Sequence, residues 1–249
     1  MDMQKEKERV LKWLREYKEK TNCKGVLLGL SGGKDSTTVA MLLKCVWGDN
    51  VLGVLMPNGK QADIDDSFAI ADALKLRRFV VNIGEAYKGL LDAIQTQENE
   101  NFEISDKSKT NMQPRLRMTS LYAIAQTLGY QVVGTGNASE RFIGWFTKWG
   151  DGGCDFNPIA HLTCTEVVEL GKLLAVDLGL DEKFIVKAPA DGLTGKTDED
   201  NFGFTYKELD GYIRGDKQAA GANAEKIEKL HGWSGHKLRM PTIIEDDYQ

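Results

Sequence analysis

The chain has 249 residues, of which 41% are apolar, so a sizeable core is available and global disorder is excluded. Asp and Glu number 37 against 32 Lys and Arg, a formal net charge of -5, which argues against a protein that coats nucleic acid through bulk charge. A local basic patch around an anionic substrate stays open.

The start, "MDMQKEKERVLKWLREYKEK", is charged from its first turn, so it reads as neither a signal peptide nor a membrane anchor. Val10, Trp13, Leu14 and Tyr17 recur at helical spacing, and an amphipathic helix is expected over 4–20. "GVLLGL" (25–30) reads as a strand, followed by a helical pattern from Ser36 to Trp47. Strand-like runs at 51–58 and 78–83 alternate with helical patterns at 62–76 and 85–97. A polar stretch over 95–111 reads as a mobile connection. A long helix is expected from Pro114, which suits a first helical turn, to Leu128. "YQVVGT" (130–135) is the next strand. No period fits "WFTKWGDGGCDFNP". A helix follows over 165–178, then a turn-rich stretch over 188–203 expected to order over ligand, and a helical C-terminal segment over 204–249. The βαβα order predicts an α/β fold: a doubly wound, mostly parallel sheet with helices on both faces, in one domain spanning 1–249. Such sheets collect ligands at the carboxyl ends of their strands.

Cys23, Cys45, Cys154 and Cys164 form no C-x-x-C pair, which reads as reduced thiols in a soluble, cytoplasmic protein. No stretch reaches the roughly 18 apolar residues a membrane span needs.

The strongest local signal is "GLSGGKDS", Gly29, Leu30, Ser31, Gly32, Gly33, Lys34, Asp35 and Ser36, between two apolar segments. A strand that ends in glycines and feeds a helix gathers backbone N–H donors at the positive end of the helix dipole. Gly32 and Gly33 permit a tight turn and close approach to a phosphate. Asp35 would repel a bare phosphate, and is sensible if it binds Mg²⁺ bridging to phosphates. A plain glycine turn is the ordinary alternative. The kinase-type loop G-x-x-x-x-G-K-[ST] is rejected, because the glycine spacing is one short and Asp35 follows the lysine.

"SGGKDS" resembles the pyrophosphate loop of the ATP pyrophosphatase superfamily, whose members cut ATP between its α- and β-phosphates and adenylate an oxygen. "QPRLRM" (113–118), "VVGTGNASE" (132–140), "GWFTKWGDGGCDFNP" (144–158), "DEDNFGFTYKELDGYI" (198–213) and "HK" (236–237) resemble, in order, blocks of ammonia-dependent NAD synthetase. The resemblance runs from Gly29 to Pro241. It implies a Rossmann-like fold and a ligase that joins ammonia to deamido-NAD⁺, with ATP as co-substrate and Mg²⁺ as cofactor. It further implies a homodimer with substrate at the interface, and no nucleic-acid or membrane partner.

Carried over by the resemblance, Gly29 through Ser36 and Thr135 would contact ATP. Asp35 and Glu140 would bind Mg²⁺, and Arg115, Lys148, Asp155, His236 and Lys237 would face deamido-NAD⁺. The chemistry agrees. Asp35 and Glu140 each follow an expected strand, so one sheet edge can hold both, and hard oxygens suit Mg²⁺. Arg115, Lys148 and Lys237 offer cations to a substrate with two phosphates and a carboxylate. Each residue also has an ordinary reading. Glu140 fits a helix start, Arg115 a solvated charge, His236 a surface imidazole and "DGGCD" a plain turn. Phe142, Trp145, Phe146 and Trp149 fit core or dimer contacts.

Two positions depart from the family pattern. Cys164 stands where a lysine for ATP is usual, and Ala190 where a serine or threonine is usual. Lys187 and Lys196 are candidate substitutes. Cys164 as a nucleophile lacks a visible base partner. With no second domain to hydrolyse glutamine, free ammonia, or ammonia from a partner, is the expected nitrogen source. Other ligases or sulfur-transfer enzymes with this loop, and a non-catalytic nucleotide-binding module, are the alternatives.

Overall fold

A computed structural model describes residues 1–60, 64–96, 102–186 and 197–241. Helix α1 (Met3–Thr21) is capped by the Asp2 side chain, which accepts from Lys5 N, and it ends at Asn22 in the left-handed conformation. Val10 and Leu14 are buried, while Trp13 and Tyr17 meet the ring of Phe156. Glu6 and Lys7 are also buried, satisfied by Arg9 and His161 and by Asp177.

Strands β1 (Val26–Gly29), β2 (Val51–Leu55), β3 (Arg77–Val80) and β4 (Gln131–Val132) form one parallel sheet in the order β3-β2-β1-β4. Val26 pairs with Val51 on one side and Gln131 on the other, and Leu52 pairs with Arg77. Helices α2 (Lys34–Trp47), α3 (Ile64–Ala73), α4 (Gly84–Gln95) and α5 (Asp106–Leu128) connect the strands. Alternation along the strands serves both faces. Val26, Leu28 and Leu55 join α1, α2 and α7 (Cys164–Leu178) in the main core, while Leu27, Leu52, Val54 and Val132 meet Ala125 of α5. This is the doubly wound arrangement expected. Its strand order reverses direction between β1 and β4, and the crevice outside their carboxyl ends is where such sheets bind ligands.

Several boundaries differ from expectation, among them the ends of β3 at Val80 instead of 83 and of α3 at Ala73 instead of 76. Helix α5 begins at Asp106, so the second half of the supposed connection is helical and Pro114 lies inside the helix. The Ser105 hydroxyl caps Ser108 N, and the first turns are too polar to show an apolar period. Pro114 costs one helical bond there, but its buried ring packs under Gly150. The strand expected over 130–135 shortens to two residues, with a parallel bridge from Val133 to Phe156 continuing the edge. A Cβ at Gly134 would meet the Cys154 sulfur at 2.5 Å, so glycine allows that approach. Strand β2 stops at Leu55 instead of 58, near Pro57, which has no N–H for the ladder. Helix α2 starts at Lys34 instead of Ser36, which places Lys34 and Asp35 in its first turn.

Past the sheet, α6 (Ala138–Ile143), α8 (Asp198–Phe202), α9 (Tyr206–Ile213) and α10 (Ala224–Ser234) close around a second apolar cluster of Ile143, Phe202, Phe204, Leu209 and Ile227. Among the described residues, no helix is long and apolar enough to cross a membrane.

Candidate active site

The corner after β1 is built by glycine and serine. Leu30 N still bonds Val54 O at 3.0 Å, so the sheet holds the loop to its last rung. Gly32 then takes φ +76°, and a Cβ there would fall 2.8 Å from Ser67 N, so both conformation and space require glycine. Gly33 is the N-cap of α2 and has no side chain to satisfy the first-turn N–H groups. Without a side-chain cap, that helix start suits an anion. The Ser31 and Ser36 hydroxyls meet at 3.0 Å, Gly33 N donates to Ser31 Oγ, and Ser36 Oγ donates to Gly33 O. The loop is therefore held in shape by its own serines.

The facing corner follows β4. Asn137 caps α6 in a capping box: its side chain accepts from Glu140 N at 3.0 Å, and Glu140 Oε2 accepts from Asn137 N at 2.8 Å. Asn137 Nδ2 also donates to Asp35 Oδ1 at 3.0 Å. One buried amide therefore draws the two carboxylates together at the carboxyl edge of the sheet. Burial, then the charge of Asp35, push the Glu140 carboxyl well above the usual carboxylate range. Thr135 lies half-buried just past β4, on the approach to that corner.

Among the described residues no group of three or more His, Cys, Asp or Glu forms a metal cage. Two converging carboxylates beside a phosphate corner nevertheless suit Mg²⁺, which takes one or two carboxylates and completes its shell with phosphate oxygens and water.

Lys34 holds a more specific position than its place in the loop sequence indicates. Its side chain is buried, Nζ lies 2.5 Å from Asp35 Oδ2, and it sits 5.5 Å from the centre of the Tyr206 ring. Burial is the largest single effect and lowers an ammonium's pKa, but Asp35, Cys164 and Glu140 together outweigh it and hold Lys34 above its ordinary value. Tyr206 OH donates to Asp198 Oδ2 at 2.8 Å, and Trp145 Nε1 donates to Asp198 Oδ1 at 3.0 Å. Trp145 also packs edge-on against Phe202, so it is a structural aromatic. Asp198 and Tyr206 lie in the block 198–213, where the sequence gives neither an individual role. The local signal is weak, because Asp198 stands in the acidic run Asp198-Glu199-Asp200 that reads as a solvated helix start.

Cys164 opens α7, buried beside this cluster, and its N–H donates to Ser139 Oγ at 2.9 Å. Burial pushes the thiol far up, against the pull of Lys34, which is wrong for a nucleophile. Ala190, Lys187 and Lys196 lie outside the described residues.

The cations expected at the second substrate share one neighbourhood. Arg115 Nε donates to Lys148 O at 3.4 Å, Lys148 Nζ to His236 O at 2.7 Å, and Lys237 Nζ to Gly144 O and Phe146 O. The C-terminal turn at 235–238 is thus latched onto the glycine-rich segment. His236 is exposed, its Nδ1 3.0 Å from Trp233 O. Asp155 stands apart from that group, accepting from Val132 N at 2.7 Å and Tyr122 OH at 3.2 Å. Burial and Asp155 push the Tyr122 hydroxyl up to about 12.

Residues 6–241 match the family model for NAD synthase. An NH(3)-dependent NAD(+) synthetase of Carboxydothermus hydrogenoformans is 42% identical over 238 residues, 95% of each chain. Among solved structures, the NMN synthetase from Francisella tularensis superposes with a TM-score of 0.88 at 32% identity, covering 99% of this chain and 100% of that one. The NH3-dependent NAD synthetase from Campylobacter jejuni gives 0.76 at 30% identity, covering 98% and 100%. A match through both loop corners, the latched C-terminal turn and nearly the whole length places the chain in the NAD synthase family.

Proposed function

We infer that the protein makes NAD⁺ by amidating deamido-NAD⁺ with ammonia at the expense of ATP, releasing AMP and pyrophosphate. The observation that carries this is the paired corner at the strand-order reversal. A phosphate-type turn after β1 and the Asp35–Asn137–Glu140 junction after β4 face one crevice, in a chain of the NAD synthase family.

The nicotinate carboxylate attacks the α-phosphorus of ATP. The bond to the bridging oxygen breaks, pyrophosphate leaves, and an acyl-adenylate forms. Ammonia then attacks the acyl carbon, AMP departs, and the amide nitrogen loses a proton to solvent. Gly29 through Ser36 and Thr135 hold and orient the triphosphate. Asp35 and Glu140 are the Mg²⁺ ligands. When bound, that ion offsets charge on the departing pyrophosphate. Arg115, Lys148, Asp155, His236 and Lys237 position the dinucleotide. Neither step needs a protein nucleophile, which suits the buried, high-pKa thiol of Cys164. Positioning and electrostatics carry the rate.

The molecule works as a homodimer in the cytoplasm, with 1–249 as one catalytic domain. All four residues of β3 are exposed. No residue of α4 is buried, although Tyr87, Leu90, Leu91 and Ile94 form an apolar stripe at helical spacing. Phe79, Val80 and Leu90 are among the exposed large side chains, and a second copy would cover them.

A second reading concerns the acceptor alone. The high structural similarity to an NMN synthetase favours testing the mononucleotide, whose nicotinate carboxylate offers the same chemistry. Purified protein is incubated with ATP, Mg²⁺, ammonium and either deamido-NAD⁺ or nicotinate mononucleotide. Equal NAD⁺ and AMP, with kcat/KM higher for the dinucleotide, supports the main reading. Preference for the mononucleotide moves the chain to the second. AMP without either amide overturns both.

A further inference from the structure

We propose that Lys34 is a tethered counter-ion which holds Asp35 while the nucleotide is away, so that the divalent cation can seat only when ATP draws the ammonium off. The proposal rests on the assignment of Asp35 and Glu140 as metal ligands.

Both oxygens of Asp35 are engaged: Oδ2 by Lys34 Nζ at 2.5 Å and Oδ1 by Asn137 Nδ2 at 3.0 Å. The Lys34 side chain is only 3% exposed, so this is no loose surface pair. Groups from five elements face it. Lys34 and Asp35 come from α2, Glu140 from α6, Cys164 from α7, Asp198 from α8 and Tyr206 from α9. Asp198 is already satisfied by Trp145 and Tyr206. Asp35 and Glu140 converge on Asn137, Asp198 adds further negative charge nearby, and Lys34 is the cation built in beside them.

A divalent ion on the same pair does the same electrostatic work with twice the charge. It must approach a carboxylate oxygen to about 2.0–2.1 Å. An ammonium on Oδ2 blocks that oxygen and repels the arriving ion across a low-dielectric gap. The ammonium needs another anion to leave. Lys34 is itself the first residue of α2, in the turn expected to receive the phosphates, so a bound triphosphate would offer its ammonium a second anion. Nucleotide and metal therefore assist each other's binding, and linkage requires the assistance to be mutual.

The test measures binding, not turnover. Free Mn²⁺ is titrated by electron paramagnetic resonance against the full chain, with and without a non-hydrolysable ATP analogue. In wild type, Mn²⁺ alone should bind weakly and the analogue should tighten it. Lys34→Met, which fills the same volume without charge, should tighten Mn²⁺ binding in the absence of nucleotide by roughly tenfold or more. Lys34→Gln serves if the methionine variant does not fold, as judged by circular dichroism. Lys34→Arg keeps a cation and should bind free Mn²⁺ as weakly as wild type. If neither neutral variant binds free Mn²⁺ more tightly than wild type, the counter-ion role is overturned. Asp35→Asn separates the two layers. Loss of Mn²⁺ binding with analogue present upholds the metal assignment whatever Lys34 does. Unchanged binding overturns the assignment and the proposal with it.

Discussion

Asn137 Nδ2 donates to Asp35 Oδ1 at 3.0 Å, joining residues 102 positions apart. The same side chain caps α6, and its backbone N–H engages Glu140. The local rule that starts a helix is here used to bring two acidic groups into one corner.

Replacing Asn137 by Ala should separate the effects of cap and junction. Loss of the cap should cost about 1 kcal/mol of stability, read from urea unfolding. Loss of the orienting bond should lower kcat/KM by roughly 10–100-fold. A rate unchanged within twofold would mean that Asp35 needs no orientation from α6.

Asp35→Asn should destabilise the chain by about 3 kcal/mol, because it strands the buried Lys34 ammonium without its partner. Lys34→Met on the same background should recover most of that loss. A double-mutant cycle built on unfolding midpoints reads the coupling directly. Additive effects would show that the pair contributes nothing beyond its parts.

The acid limb of stability should depend in part on Glu6. Its carboxyl is lowered from 4.5 chiefly by the hydrogen bond from Arg9, with His161 adding to it against the effect of burial. A folded-state pKa below the unfolded value gives stability that is present above about 4.5 and lost as pH falls through the folded value. Glu6→Gln should therefore lower stability at pH 7 by about 1 kcal/mol and flatten the decline in acid. Parallel pH profiles for the two proteins would rule this out.

Leu90→Glu should place a charge in the apolar stripe of α4. On the proposed homodimer, wild type should sediment as a dimer and the variant as a monomer, and kcat/KM for the dinucleotide should fall with it. An unchanged sedimentation coefficient would mean that this stripe is not the dimer face.

Much of the architecture was readable in the chain because its causes are local. Short apolar runs ending in glycine, alternating with helical patterns, force parallel strands joined by crossovers. "SGGKDS" announces an anion corner because glycine freedom and helix-end donors act over a few residues. Helix α5 starts earlier than its apolar pattern indicates for the same reason: its first turns are held by a serine cap and an ion pair between Asp106 and Lys109, with no apolar period to read.

The placement of Lys34 was decided elsewhere. In sequence it is a charged residue beside an aspartate, indistinguishable from a solvated pair. It becomes a buried counter-ion only because α6, α7, α8 and α9 bring Asn137, Cys164, Asp198 and Tyr206 over the first turn of α2. The gathering of Arg115, Lys148 and Lys237 on the glycine-rich segment is likewise a product of long-range packing. Backbone propensity and apolar period act between near neighbours and so can be read along the chain. Burial of a charge depends on what distant segments lay over it, and only the folded molecule decides that.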